Sequence, residues 1–251
     1  MTIRTGSDPL IRNCTFISNS ADRGGAVFVR EAAAPTFIGC NFETNTSTED
    51  GGAIYCEGES RPTIQNCIFS GNQSTAGNGG AIAAYKAAPS ITSCTFISNH
   101  ASGGKGGALS LNESQGDTVR LSTFTLNTAE EGGAVYMYQA KNVQILQSRF
   151  EDNSGNYGGG VYLEGSGTET NPILFTNCIL WKNQADYGGG AVLGTDSYNL
   201  DSFLKIEHCT VTGNIAEEGG VSAGGGAHIS IGSKLTIVNS LLWNNTADEY
   251  Q

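Results

Sequence analysis

Asp186 and Glu217 stand at equivalent places in successive copies of a repeat, each two residues ahead of a glycine pair. Two carboxylates held about one strand spacing apart can do acid–base work. A separation of about 5 Å is the one that retaining glycosidases use. The same pair could hold Ca²⁺, the one cofactor that these residues admit, although the Ca²⁺-binding nonapeptide repeat is absent. Asp186 and Glu217 are therefore the candidate catalytic residues. They adjoin the longest turns, "EGSGTETNP", "GTDSYNLDSF" and "GGVSAGGGA". Long turns on a regular scaffold are where function concentrates. The same place in other copies holds Asp22, Glu49 and Glu130, so solvated turn acids are the plainer reading.

The next residue in each copy varies: Arg23, Asp50, Asn78, Lys105, Glu131, Tyr157, Tyr187, Glu218. Neighbouring copies would pair Arg23 with Asp50 and Lys105 with Glu131, and would stack Tyr157 on Tyr187. After each glycine pair, alternation turns Ile54 and Cys56 inward and Tyr55 outward. In that register Phe28, Tyr55, Tyr136, Tyr162 and Leu193 form an outward column, interrupted at Ala83 and Ser110. Aromatic faces on a flat sheet can contact sugar rings. Tyr136, Tyr162, Tyr157, Tyr187 and Glu218 are thus the candidate ligand-binding residues.

Other chemistry is thin. His100, His208 and His228 are scattered and compose no triad. Six of seven cysteines fall in one inward column and Cys56 lies on another strand. Axial neighbours with parallel side chains make poor disulfides, and no C-x-x-C offers a zinc site. Buried free thiols are expected, and no metal centre.

The positioning framework is the repeat itself. The motif apolar-x-x-Asn occurs nine times, from Phe16 to Leu242, at spacings of 26 to 31 residues. Its Asn column runs Asn19, Asn45, Asn72, Asn99, Asn127, Asn153, Asn183, Asn214, Asn245. Cys or Ser stands two residues before the apolar position, and an Ile-like residue five before. A Gly-Gly and an apolar pair follow the Asn, as in "GGAVFV" and "GGAIYC".

A leucine-rich repeat shares the period but spends half of it on a helix, whereas here that half alternates and ends in a Pro-bearing turn. About three short strands per 27 residues predict an all-β, single-domain, right-handed parallel β-helix of eight to nine coils over 1–251. Coils stacked at about 4.8 Å give a rod about 40 Å long. Ile-like, Cys/Ser and Phe columns should point inward. The Asn column should take the sharp turn, where Asn tolerates left-handed backbone. Neither end carries a cap, which predicts a fragment of a longer protein able to associate end to end.

Phe-x-x-Asn followed by Gly-Gly-Ala-(Ile/Val/Leu), as at Phe16 and Gly24, Phe42 and Gly51, and Phe124 and Gly132, resembles the polymorphic outer-membrane proteins of chlamydiae. It is also similar to bacterial surface proteins of the pectate-lyase-like β-helix type. The resemblance implies an autotransporter passenger outside the cell, an adhesin. This chain shows no secretion signal and no outer-membrane barrel, and its last three copies replace Phe with Leu180, Val211 and Leu242.

Composition narrows the partners. A net charge of −11 and a pI near 4.6 repel phosphate backbones and exclude nucleic acid as a partner. No apolar run approaches a membrane span. The expected partner is a polysaccharide or a host or cell-surface protein. The primary expectation is a non-enzymatic extracellular rod, adhesive or structural, that binds glycan. The alternative is a polysaccharide lyase, glycoside hydrolase or epimerase around coils six to eight, with Lys182, Lys205 and Lys234 as the nearest bases. An ice-binding face ranks last, because Thr is placed irregularly.

Overall fold

The computed structural model describes residues 1–195, 201–219 and 224–249. One coil shows how it is built. Ile82–Tyr85 leads through a corner to Ser90–Thr92, then Thr95–Ile97, then His100–Lys105, before the glycine pair starts the next coil. We call the four sheets A, B, C and D in that order. Among the described residues each sheet has nine strands, and each strand pairs in parallel with its equivalents one coil away. The result is the right-handed parallel β-helix that the repeat predicts.

Four strands per coil, rather than three, is a difference with a physical reason. The sheet D strands carry no apolar alternation. Their inward side chains are small: Ser47, Ser74, Ala101, Ala185 and Ala216 are all fully buried. They face the backbone of the glycine pair. A Cβ on Gly80 would lie 2.6 Å from the backbone of His100 and 2.1 Å from the carbonyl oxygen of Gly107. No side chain fits there, so two backbones meet directly.

The inward columns stack like on like. Phe16, Phe42, Phe69, Phe96, Phe124 and Phe150 lie ring over ring, with centroids 4.7 to 4.8 Å apart and planes within 6°. Where the column changes to Leu180, Phe175 leans against Phe150 instead, 6.1 Å away and tilted by 47°. Burying each such ring contributes about 2 kcal/mol, which no single coil could secure alone.

The Cys/Ser column has a job that its size alone does not disclose. Along most of the column the Sγ or Oγ accepts the backbone N–H of its counterpart one coil earlier. Examples are Cys40 N–H to Cys67 Sγ (3.4 Å), Cys94 N–H to Ser122 Oγ (3.2 Å) and Ser122 N–H to Ser148 Oγ (3.2 Å). Sulfur and oxygen interchange there because both accept. All seven thiols are free.

The Asn column corrects an expectation. The left-handed residue is the one before each Asn: Ser18, Thr44, Gly71, Ser98, Leu126, Asp152, Lys182, Gly213 and Asn244, with φ between 49° and 64°. The Asn itself turns inward. Asn99 Oδ1 accepts from both the N–H and the Nδ2 of Asn72, at 3.0 and 2.9 Å. Its own Nδ2 donates to Phe69 O and Asn127 Oδ1, both at 3.0 Å. Buried amides that satisfy one another from coil to coil make the ladder, and the exposed preceding residue makes the turn.

Candidate functional site

The junction where sheet D passes into sheet A gathers the variable residues ahead of the glycine pairs. Arg23 pairs with Glu49 (2.5 Å) rather than Asp50, with Glu57 3.9 Å away, and lies 5.4 Å over the ring of Tyr55. Asp50 instead accepts the backbone N–H of Asn78 at 2.8 Å, and Asn78 Oδ1 accepts that of Lys105 at 3.0 Å. These are backbone ties, so the side chains brace the corner. Lys105 does meet Glu131 (2.7 Å); it also reaches Glu164 (3.4 Å) and lies 4.8 Å over Tyr136.

Around Lys105 burial sets the electrostatics. Burial raises the Glu131 carboxyl, against the pull of Lys105. Burial works against the Lys105 ammonium too, but Glu131 and Glu164 outweigh it and hold its pKa above the ordinary value. The Tyr136 hydroxyl, buried and hydrogen-bonded to Glu164, is pushed far up and stays a neutral donor.

The outward aromatic column has the expected register, Phe28 to Tyr55 to Ala83 to Ser110 to Tyr136 to Tyr162 to Leu193. Its rings are covered, however: Tyr55 and Tyr136 are each only 3% exposed. Tyr136 and Tyr162 stack at 5.7 Å beside Lys105. Tyr157 and Tyr187 also stack, at 5.3 Å, and each stays 41% exposed.

Asp186 and Glu217 lie on the paired sheet D strands Gln184–Tyr187 and Ile215–Gly219. Asp186 is half-buried and Glu217 exposed. Glu217 Oε1 accepts a 2.6 Å hydrogen bond from Gln184 Nε2. The side chain of Glu218 lies outside the described residues, as do 196–200 and 220–223 of the two later long turns. The structure thus puts Tyr157, Tyr187, Asp186 and Glu217 along one edge, and Tyr136 and Tyr162 on sheet A.

One concave feature lies elsewhere, at the interruption of the aromatic column. Where Ala83 and Ser110 replace rings, a cleft of about 310 Å³ opens. Ala83 and Ser110 floor it, Tyr55 and Tyr85 wall it, and Arg23, Asp50, Glu57, Asn78 and Asn112 rim it. Asn112 Oδ1 has no hydrogen-bond partner. A small apolar floor, aromatic walls and rim groups of both polarities are what a pocket for a neutral polar ring requires. Tyr85 and Asn112 are missing from the sequence-derived candidates, yet the alternation that placed Tyr55 also places Glu57, Tyr85 and Asn112 in a second outward column. That periodicity is the signal that could have found them.

Comparison with known proteins matches residues 3–202 to a family model described as a right handed beta helix region. No curated protein matches the chain. Among solved structures, trypsin-treated QnrB1, a plasmid-mediated fluoroquinolone resistance protein, aligns over 96% of this chain and 92% of its own, with 13% identity and a TM-score of 0.21.

Proposed function

This chain belongs to the right-handed β-helix family, and on that premise we propose that it is a non-enzymatic, cell-surface rod that binds carbohydrate through sheet A. Family membership supplies a rigid scaffold and no chemistry of its own. The observation that carries the reading is the cleft over Ala83 and Ser110. Carbohydrate suits it because a sugar ring brings apolar C–H faces for the floor and walls, and hydroxyls that both donate and accept. Adhesion by such a rod works through weak sites on an inflexible stem, whose spacing the coil rise sets.

Filling the cleft tests this. Ser110→Tyr restores the ring that the column has at Tyr55 and Tyr136, so the fold should accept it. Cello-, manno- and chito-oligosaccharides are titrated against both proteins by calorimetry. Binding by the wild type that falls at least about tenfold in Ser110→Tyr, with unchanged thermal melting, is the expected result. Equal binding by both proteins would remove the cleft from the account.

A further inference from the structure

Among the described residues two pairs of tyrosines stack on adjacent coils, and their surroundings differ. In the pair Tyr136 and Tyr162, Tyr136 is covered and its hydroxyl donates to Glu164. Tyr157 and Tyr187 are register partners at the last positions of the strands Ser154–Tyr157 and Gln184–Tyr187. Their ring centroids lie 5.3 Å apart, with planes 27° from parallel, and both rings face solvent.

The exposed pair sits at a particular junction. Phe150 and Leu180, seven residues earlier on the same two coils, are register partners, and there the column of stacked phenylalanine rings ends. The repeat also lengthens at this step, from 26–28 residues to 30. The five junctions before it each lay one ring flat on the next in the core, whereas this one sets a ring against a leucine. In a solenoid each coil touches only its neighbours, so the rod opens at its weakest junction.

We propose that Tyr157 and Tyr187 are an oxidative cross-linking site, joined as dityrosine by a haem peroxidase acting with hydrogen peroxide, and that the bond fastens this junction. Each phenol hydroxyl gives up one hydrogen atom, as a proton and an electron, and the two phenoxyl radicals pair through ring carbons ortho to oxygen. The hydrogens on those carbons then return to the oxygens, so both phenols are restored around one new carbon–carbon bond. The two hydrogen atoms lost reduce one hydrogen peroxide to two waters. In-register stacking supplies the proximity that the coupling requires, because the nearest partner of either radical is the ring on the next coil. The rings must pivot to bring their ortho carbons together, which solvent exposure allows at Tyr157 and Tyr187 and the cover over Tyr136 opposes. The site is independent of the cleft over Ala83 and Ser110 and of its ligand.

The test treats the full chain at micromolar dilution with a haem peroxidase and hydrogen peroxide, then isolates the monomer by gel filtration. Dityrosine fluorescence and mass-spectrometric mapping of the joined peptides read the bond, and circular dichroism confirms the fold of each variant. The expected result is a Tyr157–Tyr187 link in the wild-type monomer, abolished in Tyr157→Phe and in Tyr187→Phe and kept in Tyr136→Phe. The link closes a loop of about 30 residues, so treated wild type should melt about 5 °C or more above its untreated form. Tyr157→Phe treated in the same way should gain nothing. Links formed only between chains, or a link within the monomer that survives in Tyr157→Phe, overturn the assignment. So does a Tyr157–Tyr187 bond that leaves the melting temperature where it was, since it then fastens nothing.

Discussion

Asn99→Ala is expected to cost on the order of 5 kcal/mol, enough to remove most of the stability of an ordinary domain. Asn99 is fully buried in mid-ladder, and its amide takes part in four hydrogen bonds. Truncation takes these partners from the N–H and Nδ2 of Asn72, from Phe69 O and from Asn127 Oδ1. Each buried orphan costs about 1 to 3 kcal/mol. Asn99→Asp tests the polarity of the ladder, since a carboxylate still accepts from Asn72 but has nothing to donate to Phe69 O or Asn127 Oδ1. It should be nearly as damaging at neutral pH.

The control is Asn19→Ala. Asn19 is exposed and donates only to Asn45 Oδ1, so its loss should cost less than about 1 kcal/mol. Urea unfolding followed by circular dichroism measures both. If the two alanine variants unfold at the same urea concentration, the amide ladder is decoration on a rod held by its rings.

Asp117 is expected to make the rod less stable as pH rises from about 4 to about 8. Its carboxyl is fully buried, with neither oxygen hydrogen-bonded to another group, in a column that also holds Pro9, Pro35, Pro62, Pro89 and Val143. Burial pushes its pKa up to about 8, against its own backbone N–H and the charge of Arg61. Cys56, the titratable group on the core side, has its thiol raised far out of range by its own burial and then by Asp117, and adds no charge. Folded protein therefore keeps the Asp117 proton up to about pH 8, whereas unfolded chain releases it near 4. Between those values the folded state binds more protons, so raising the pH favours unfolding.

The full effect approaches about 5 kcal/mol above pH 8, an upper figure for a site that can relax. Asp117→Val continues the apolar column and should abolish this component. Urea midpoints of wild type and variant at pH 5 and pH 9 measure it, and the difference between the two proteins cancels the other acids. A wild-type pH dependence that the valine variant shares would mean that Asp117 has found a polar partner.

Much of this was legible in the repeat, for a reason that particular residues show. Phe42, Phe69 and Phe96 recur because each ring needs the next to bury it, so the period of the chain is the period of the fold. Lys105 beside Glu131 and Tyr157 upon Tyr187 follow from the same stacking, since one coil places equivalent residues as neighbours. Sheet D was not legible: Ser74 and Ala101 are small because two backbones approach there, and small residues leave no alternation. The left-handed position was misread by one residue, since Asn can serve both a turn and a buried ladder, and only the direction of Asn99 decides.

The site divides along the same line. Columns, and so the register of Tyr55, Ala83, Ser110 and Tyr136, come from residue spacing alone, because an axial stack turns sequence distance into spatial order. What those columns enclose does not. An aromatic column read from spacing is a row of exposed rings; in three dimensions Lys105 and Glu164 cover Tyr136, and the gap at Ala83 and Ser110 is concave. Likewise Arg23 meets Glu49 rather than Asp50, and Lys105 reaches past Glu131 to Glu164. Spacing orders residues along the axis, but depth, cover and the meeting of charges depend on how far each side chain reaches sideways, and only the packed coils set that.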